Sequence, residues 1–362
     1  MTSKIISNGI LKAIFSIIGF AIILYFLFKI STVIIYLIIA LILTLISNPL
    51  VEFLKKRLKF KNTLAVSFTI LFLFLMVVGF IMMFVPLIVD QGKNLSLLNS
   101  DAIQKNILEL VKKIQDFLET RNIDAGYLLK ESHVTEKINF NFLPNFLNSF
   151  LNTISNFGMG MASVFFILFF FLKDKISFII GMRKILPDAH EEKILNSVEK
   201  IREMLSRYFI GLIIQLFIVF VMYILILLIF DIQNAFIIAF LCAILNIIPY
   251  IGPLIGSVLA AILTMISNLG GDFQTEILPT TLYVLIGFSI VQIIDNNVSQ
   301  PIIFSKSVNS HPLEIFLVTL ISGFIFGITG MIVAIPFYTM IKVVAKEFIP
   351  ENKIIQLITK DL

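Results

Sequence analysis

Two carboxylates stand where apolar sequence makes a charge costly. Asp295 closes one apolar run amid Gln292, Asn296, Asn297 and Gln300, and Glu314 lies just inside the next. An ionisable group near a membrane interior is retained only for a reason, so each is a candidate proton or cation site. The plainer roles are a helix cap at the interface for Asp295 and a helix N-terminal charge for Glu314. His311 titrates near neutral pH, and beside Pro312 it equally shapes a loop. Asn246, Tyr250, Gln292, Asn296 and Gln300 supply neutral hydrogen-bonding groups suited to a polyol, although Asn246 and Tyr250 could instead satisfy a broken helix. Enzyme chemistry finds little support. The chain has no Walker A sequence, no H-E-x-x-H and no G-x-S-x-G. Gly270-Gly271-Asp272-Phe273 spells a tetrapeptide of cyclic-dinucleotide synthases by chance, in a short loop with no globular domain around it. His133 reads as a surface residue and Cys242 as a small buried hydrophobe. No metal or cofactor is expected.

These residues are positioned by a break in the chain. Asn246-Ile247-Ile248-Pro249-Tyr250-Ile251-Gly252-Pro253-Leu254-Ile255-Gly256 interrupts an apolar run. Pro249 and Pro253 lack a backbone N–H, and Gly252 and Gly256 accept backbone angles that other residues resist. Freed carbonyls in hydrocarbon are tolerated only where protein or a wet cavity surrounds them. Paired breaks of this kind point to a transport site.

Composition sets the class. With 58% hydrophobic and 14% charged residues, and a mean hydropathy of +1.00, the chain reads as a polytopic all-α membrane protein. Its net charge of +5 calls for no nucleic-acid partner, because the basic residues cluster between apolar runs. Spans are expected at about 10–28, 32–54 and 63–89, each near the roughly 20 residues that cross a bilayer. The first lacks a signal-peptide cleavage site. Lys55-Lys56-Arg57-Leu58-Lys59-Phe60-Lys61 places the second loop, and hence the N-terminus, in the cytoplasm.

Residues 90–148 form a small outer insert with helical spacing at Ile103, Ile107, Leu110, Val111, Ile114 and Phe117, and Ser100 as its N-cap. A fourth span follows at about 151–172. Then comes a basic amphipathic segment, opened by an Asp188/Glu191 capping box and lying along the inner surface, so that 149–207 form one block. A fifth span is expected at about 208–230.

Residues 235–267 are too long for one upright span and, once broken, too short for two, so a re-entrant hairpin is expected. After a span at about 277–294, residues 311–344 repeat the pattern, with Gly323, Gly327 and Gly330 at the middle. Span plus hairpin, twice and in opposite orientation, is an inverted repeat, with the two breaks facing near the midplane. The alternative is two long tilted helices. The transport core is then 208–345 and the cytoplasmic tail 346–362, for about eight membrane elements in all.

Pro249-Tyr250-Ile251-Gly252-Pro253, then Gln292, Asp295-Asn296, Gln300-Pro301, His311-Pro312-Leu313, and Phe326-Gly327-Ile328 with Gly330, Ala334 and Pro336, resemble the signature of the autoinducer-2 exporter family of bacterial permeases. Order and spacing match over the C-terminal half, and the layout of spans and insert matches over the rest. The resemblance implies a multi-pass protein of the bacterial inner membrane and a homo-oligomer such as a pentamer. It also implies export or exchange of a small solute. Family members include exporters of the quorum-sensing furanone autoinducer-2 and sodium(lithium)/proton antiporters, so both transport readings stand beside a membrane scaffold or passive pore. In the transport readings Asn246, Tyr250, Gln292, Asn296 and Gln300 hold substrate. Asp295, with Glu314 and His311, couples ion movement, and Pro249, Gly252, Pro253, Gly256, Pro301, Pro312, Gly323, Gly327 and Gly330 form hinges.

Overall fold

The computed structural model describes residues 14–22, 25–26, 28–95, 100–121, 142–188, 190–299 and 310–360. Among them every regular element is helical: α1 Ser31–Arg57, α2 Asn62–Asn94, α3 Ser100–Thr120, α4 Phe142–Lys173, α5 Lys175–Ile185, α6 Glu191–Ile229, α7 Ala235–Leu245, α8 Ile251–Ser267, α9 Leu278–Ile294, α10 Pro312–Phe348 and α11 Lys353–Ile358. Short π-helical turns, Phe273–Ile277 and Asp295–Ser299, flank α9. Among the described residues five stretches are long and apolar enough to cross a bilayer: Ser31–Arg57, Asn62–Gln91, Glu191–Ile229, Phe273–Ser299 and Pro312–Phe348. The protein is a multi-pass membrane protein.

The chain packs as two units, one of Met1–Phe72 with Phe157–Ile179 and one of Leu73–Asn156 with Ile180–Leu362. In the first, α1 runs to Lys55, Lys56 and Arg57 in its last turn, where cations face the carbonyl end of the helix. Gly160 of α4 lies under the Tyr36 ring, so that a Cβ there would meet the ring Cζ at 2.6 Å. The Asn62 amide donates to the Lys173 carbonyl at 3.1 Å.

In the second unit α6 is the central post, packed against α7, α9 and α10. Two expectations fail here. The basic amphipathic segment does not form a helix of its own, because its apolar spacing continues unbroken through Tyr208 and the 39 residues of Glu191–Ile229 make one helix. No Asp188/Glu191 box closes its start: His190 is the N-cap and gives no side-chain cap bond. The expected Ser100 cap abuts residues 96–99, which lie outside the described residues. Within this unit the insert helix α3 docks on the loop after α8 through Lys113, whose ammonium donates to the carbonyls of Leu269 and, at 3.1 Å, Gly271. Phe117 meets Phe273 at 5.2 Å. Beside them the Asp272 carboxylate accepts from the backbone of Thr275 and Gln274. Chiefly the Thr275 bonds, with Lys113 nearby, hold its carboxyl below the usual range.

The break at Pro249 folds the chain into a hairpin. α7 ends at Leu245, Tyr250 takes φ +64°, and α8 returns antiparallel against α7. Pro253 falls in the first turn of α8, where its missing N–H leaves no helix bond unmade. The break is therefore five residues, 246–250, and Gly252, Pro253 and Gly256 belong to the second arm. A Cβ on Gly252 would overlap the Leu245 carbonyl, and the Cys242 thiol donates to the Gly256 carbonyl at 3.3 Å. These contacts need the glycines for close approach.

By length alone α10 could cross once, yet it doubles back. Gly327 has φ +65° and ψ −152°, a region essentially closed to other residues. A Cβ on Gly330 would come 2.7 Å from the Phe326 Cβ, and Tyr338 bonds Glu314 across 24 positions. A straight helix would hold that pair about 36 Å apart. The helix is thus broken at Gly327, where the chain folds back. The tip of the fold-back does not face the first break. The 246–250 turn lies near the base of the second hairpin, with Tyr250 edge-on to Phe316 at 5.9 Å and Ile247 packed with Ile315 around Tyr208 and Leu212. Nothing lies within 4 Å of where a Gly327 Cβ would stand, and Phe324 and Phe326 are exposed. The first break finds its apolar partners on α6 and on the start of α10, which leaves the Gly327 tip offset from it.

Candidate functional site

The buried stripe of α6 carries Leu212, Gln215, Val219, Tyr223 and Leu227 at helical spacing. Opposite it, α9 and its terminal turn bury Val284, Gly287, Phe288, Val291 and Asp295. The Tyr223 ring stacks on Phe288 with centroids 3.9 Å apart. Gly287 lets Ile226 approach to where a Cβ would meet its Cγ2 at 2.6 Å. Close packing of these apolar pairs fixes the height at which the polar groups meet.

Three elements meet at the Tyr223 hydroxyl. It accepts from Gln292 Nε2 at 2.5 Å and from Asn246 Nδ2 at 3.5 Å, while Gln292 Nε2 also donates to Asn246 Oδ1 at 3.1 Å. Asn246 Nδ2 further closes the last turn of α7 by donating to the Cys242 carbonyl at 3.0 Å. Both amide groups thus spend all their N–H donors. Gln292 Oε1 is left as a buried acceptor without a partner among the described residues. The Tyr223 hydroxyl accepts twice, so its own proton is also uncommitted within this trio. One spare donor beside one spare acceptor matches a hydroxyl, which is both.

Nearer the end of α9, Asp295 is 1% exposed and Gln215 is 2% exposed. Gln215 Nε2 donates to Asp295 Oδ2 at 2.8 Å. The carboxylate sits where α9 passes into a π-helical turn, a geometry that recurs at functional positions.

A second polar group ties the two arms of α10 at their base. The Lys342 ammonium is 2% exposed and reaches Ser310 Oγ at 2.9 Å and Glu314 Oε2 at 3.5 Å; the Tyr338 hydroxyl donates to the same carboxylate oxygen at 3.1 Å. Glu314 keeps 31% side-chain exposure. Removing the carboxylate takes a counter-charge from a buried ammonium, whereas removing the lysine leaves a half-exposed carboxylate with Tyr338 beside it. Glu314→Gln is therefore expected to destabilise by about 3 kcal/mol and Lys342→Met by about 1 kcal/mol, with the double variant less harmed than Glu314→Gln alone. Thermal unfolding in detergent reads the order. Equal single losses would count against the pair as drawn.

Of the residues expected from sequence, Asn246 and Gln292 meet, and Asp295 lies buried near them. Tyr250 stands at the tip of the first hairpin against Phe316. Asn296 is exposed on the terminal turn. His311 is the N-cap of α10, its Nδ1 accepting from Leu313 N at 3.3 Å, which is the loop-shaping role. Gln300 and Pro301 lie outside the described residues. Tyr223, Gln215, Lys342 and Tyr338 were not expected. The signal for Gln215 was available, since it is the one amide or charged side chain in the apolar run 208–229.

The AI-2E family transporter sequence model matches residues 14–349, which take in both hairpins and α6. The chain is 30% identical over 335 residues to "Putative transport protein YueF" of Bacillus subtilis (strain 168), covering 88% of this chain and 84% of that protein. It is 41% identical over 69 residues to "Putative permease PerM" of Escherichia coli (strain K12), 19% of each chain. A further similarity, 34% over 76 residues, is to "Putative transport protein YrrI" of Bacillus subtilis (strain 168), covering 21% of this chain and 22% of that protein.

Proposed function

The chain belongs to the AI-2E transporter family, and from that premise we propose that it is a secondary permease that exports or exchanges a small hydroxylated solute such as autoinducer-2, coupled to an ion gradient. The observation that carries the solute class is the buried trio of Tyr223, Asn246 and Gln292, with one spare donor on Tyr223 and one spare acceptor on Gln292. A solute hydroxyl satisfies both at once. The trio sits where the α7–α8 hairpin turns, so rocking of that hairpin on α6 would open it to either side. In this reading the hairpins are re-entrant and form an inverted repeat with their tips offset. The termini are cytoplasmic in the bacterial inner membrane, and the working unit is a homo-oligomer.

Asp295 favours a second reading, a sodium(lithium)/proton antiporter with no organic substrate. A buried carboxylate exchanges a proton for a monovalent cation without help from the trio. Proteoliposomes with an internal pH dye separate the two when sodium, lithium or autoinducer-2 is added in turn. Saturable solute flux that falls about tenfold in Gln292→Leu supports the permease, since a polar site loses roughly that for one missing hydrogen bond. A sodium-driven pH change indifferent to Gln292 supports the antiporter. Unsaturable flux, or none, leaves a passive pore or scaffold.

A further inference from the structure

The α7–α8 hairpin is held differently at its two ends. At the base, where α7 begins and α8 finishes, Ser267 Oγ donates to the Gln233 carbonyl at 2.9 Å. Two side chains from outside the hairpin grip that end. Gln91 of α2 accepts from Ile237 N at 3.0 Å, taking up an N–H of the first turn of α7 that no carbonyl within the helix reaches. Lys113 of α3 donates to the carbonyls of Leu269 and Gly271 just past the end of α8, where a cation suits the carbonyl end of a helix. An acceptor thus meets the donor end and a cation meets the acceptor end. Leu110 of α3 is buried in the same apolar cluster as Ile237 and Ile266, which seats both grips on the hairpin. The tip is strained instead. Tyr250 has φ +64° and ψ −50°, and Ile251 N donates to the Pro249 carbonyl at 2.7 Å, a three-residue turn of the rare hand that any side chain strains.

We propose that Lys113 is a positioning residue for transport: with Gln91 it pins the base of the α7–α8 hairpin, so that the hairpin swings at its tip and carries Asn246 to and from Gln292. The distances fit. α7 has 11 residues, about 16 Å from the pinned base to Asn246, so a swing of about 10° displaces that residue by about 3 Å. Such a step parts Asn246 Oδ1 from Gln292 Nε2, now 3.1 Å away. Lys113 holds the end of the hairpin remote from the trio, so it acts through the hairpin and not on the solute. With the base unpinned the whole hairpin drifts, and its tip loses a fixed arc. The inference rests on the reading of the trio as the solute site.

Spin-label distances on the full chain in detergent test the pivot without solute. Exposed positions carry the labels: Leu228→Cys with Leu254→Cys reads the tip against α6, and Ile213→Cys with Gly270→Cys reads the base, while Cys242 is buried away from the label. With Lys113 in place the base pair is expected to give one narrow distribution and the tip pair one wider by about 3 Å, the swing drawn above. Lys113→Met is expected to widen the base pair to match the tip, and Lys113→Arg, which keeps a cation with several donors, to leave it narrow. A base as wide as the tip before any change at 113, or a base unmoved in Lys113→Met, overturns the proposal. The first comparison needs no variant at 113, so it stands even where Lys113→Met fails to fold. Proteoliposome flux over a range of autoinducer-2 concentrations reads the consequence. Maximal flux is expected to fall about tenfold in Lys113→Met with half-saturation kept within about twofold, and to recover in Lys113→Arg. Unchanged maximal flux, or half-saturation lost in step with it, overturns the positioning role. A native chain without saturable flux defeats the transport reading, and the distances still decide the pin.

Discussion

Asp295→Asn is expected to lower ion-coupled flux in proteoliposomes by roughly a hundredfold or more, the scale on which positioned proton-transfer groups act, while leaving the folded protein intact. Asparagine has the shape of aspartate and still accepts from Gln215 Nε2 through its carbonyl, so α6 and α9 keep their contact. What it cannot do is take up or release a proton in this range. Asp295→Ala is the instructive contrast, because it strands a buried amide on α6 at a cost of about 1–3 kcal/mol. Loss of flux at unchanged thermal midpoint in the asparagine variant assigns a functional charge. Undiminished flux would return Asp295 to a structural cap.

Gly252→Ala is expected to cost about 3 kcal/mol or more, large for one methyl group. The added Cβ would overlap the Leu245 carbonyl and stand 3.2 Å from the Asn246 Cα, and neither neighbour is a side chain that can turn aside. The hairpin must open at its tip, and Asn246 moves with it away from Gln292. Stability and solute flux are therefore expected to fall together. Gly270→Ala, where the new Cβ meets nothing within 4 Å, is the control and should change either by little. Detergent thermal unfolding of the two variants side by side decides the matter; an unaffected Gly252→Ala would mean that the arms are not in contact as described.

The backbone of this fold was easier to read than its site. Proline and glycine act locally, so Pro249 and Gly327 announce their reversals in the sequence, whatever surrounds them. The exact extent of the first break was not legible, because Pro253 is a breaker mid-helix and harmless in a first turn. The join of the amphipathic segment to the fifth span was missed since both share one helical period through Tyr208. Site residues depend on which helices become neighbours. Gln292 and Asn246 stood beside visible breaks, while Tyr223 and Gln215 lay inside an apolar run and gain their meaning from α9 packing across them. Asn296, one position from Asp295, is exposed where Asp295 is buried.

The length of α6 has a mechanical consequence. At 39 residues it extends about 58 Å, nearly twice the hydrocarbon thickness it must cross. Its N-terminal part carries the exposed Glu199–Arg202 and Glu203–Arg207 pairs. Tyr223 and Glu191 lie 32 residues apart on one unbroken rod, about 48 Å. A tilt of about 10° pivoting at the Tyr223 hydroxyl would sweep the far end through about 8 Å on that geometry. The helix is a lever arm, and its aqueous tip magnifies the smallest rearrangement at the buried amides into a displacement that a pair of spin labels can read.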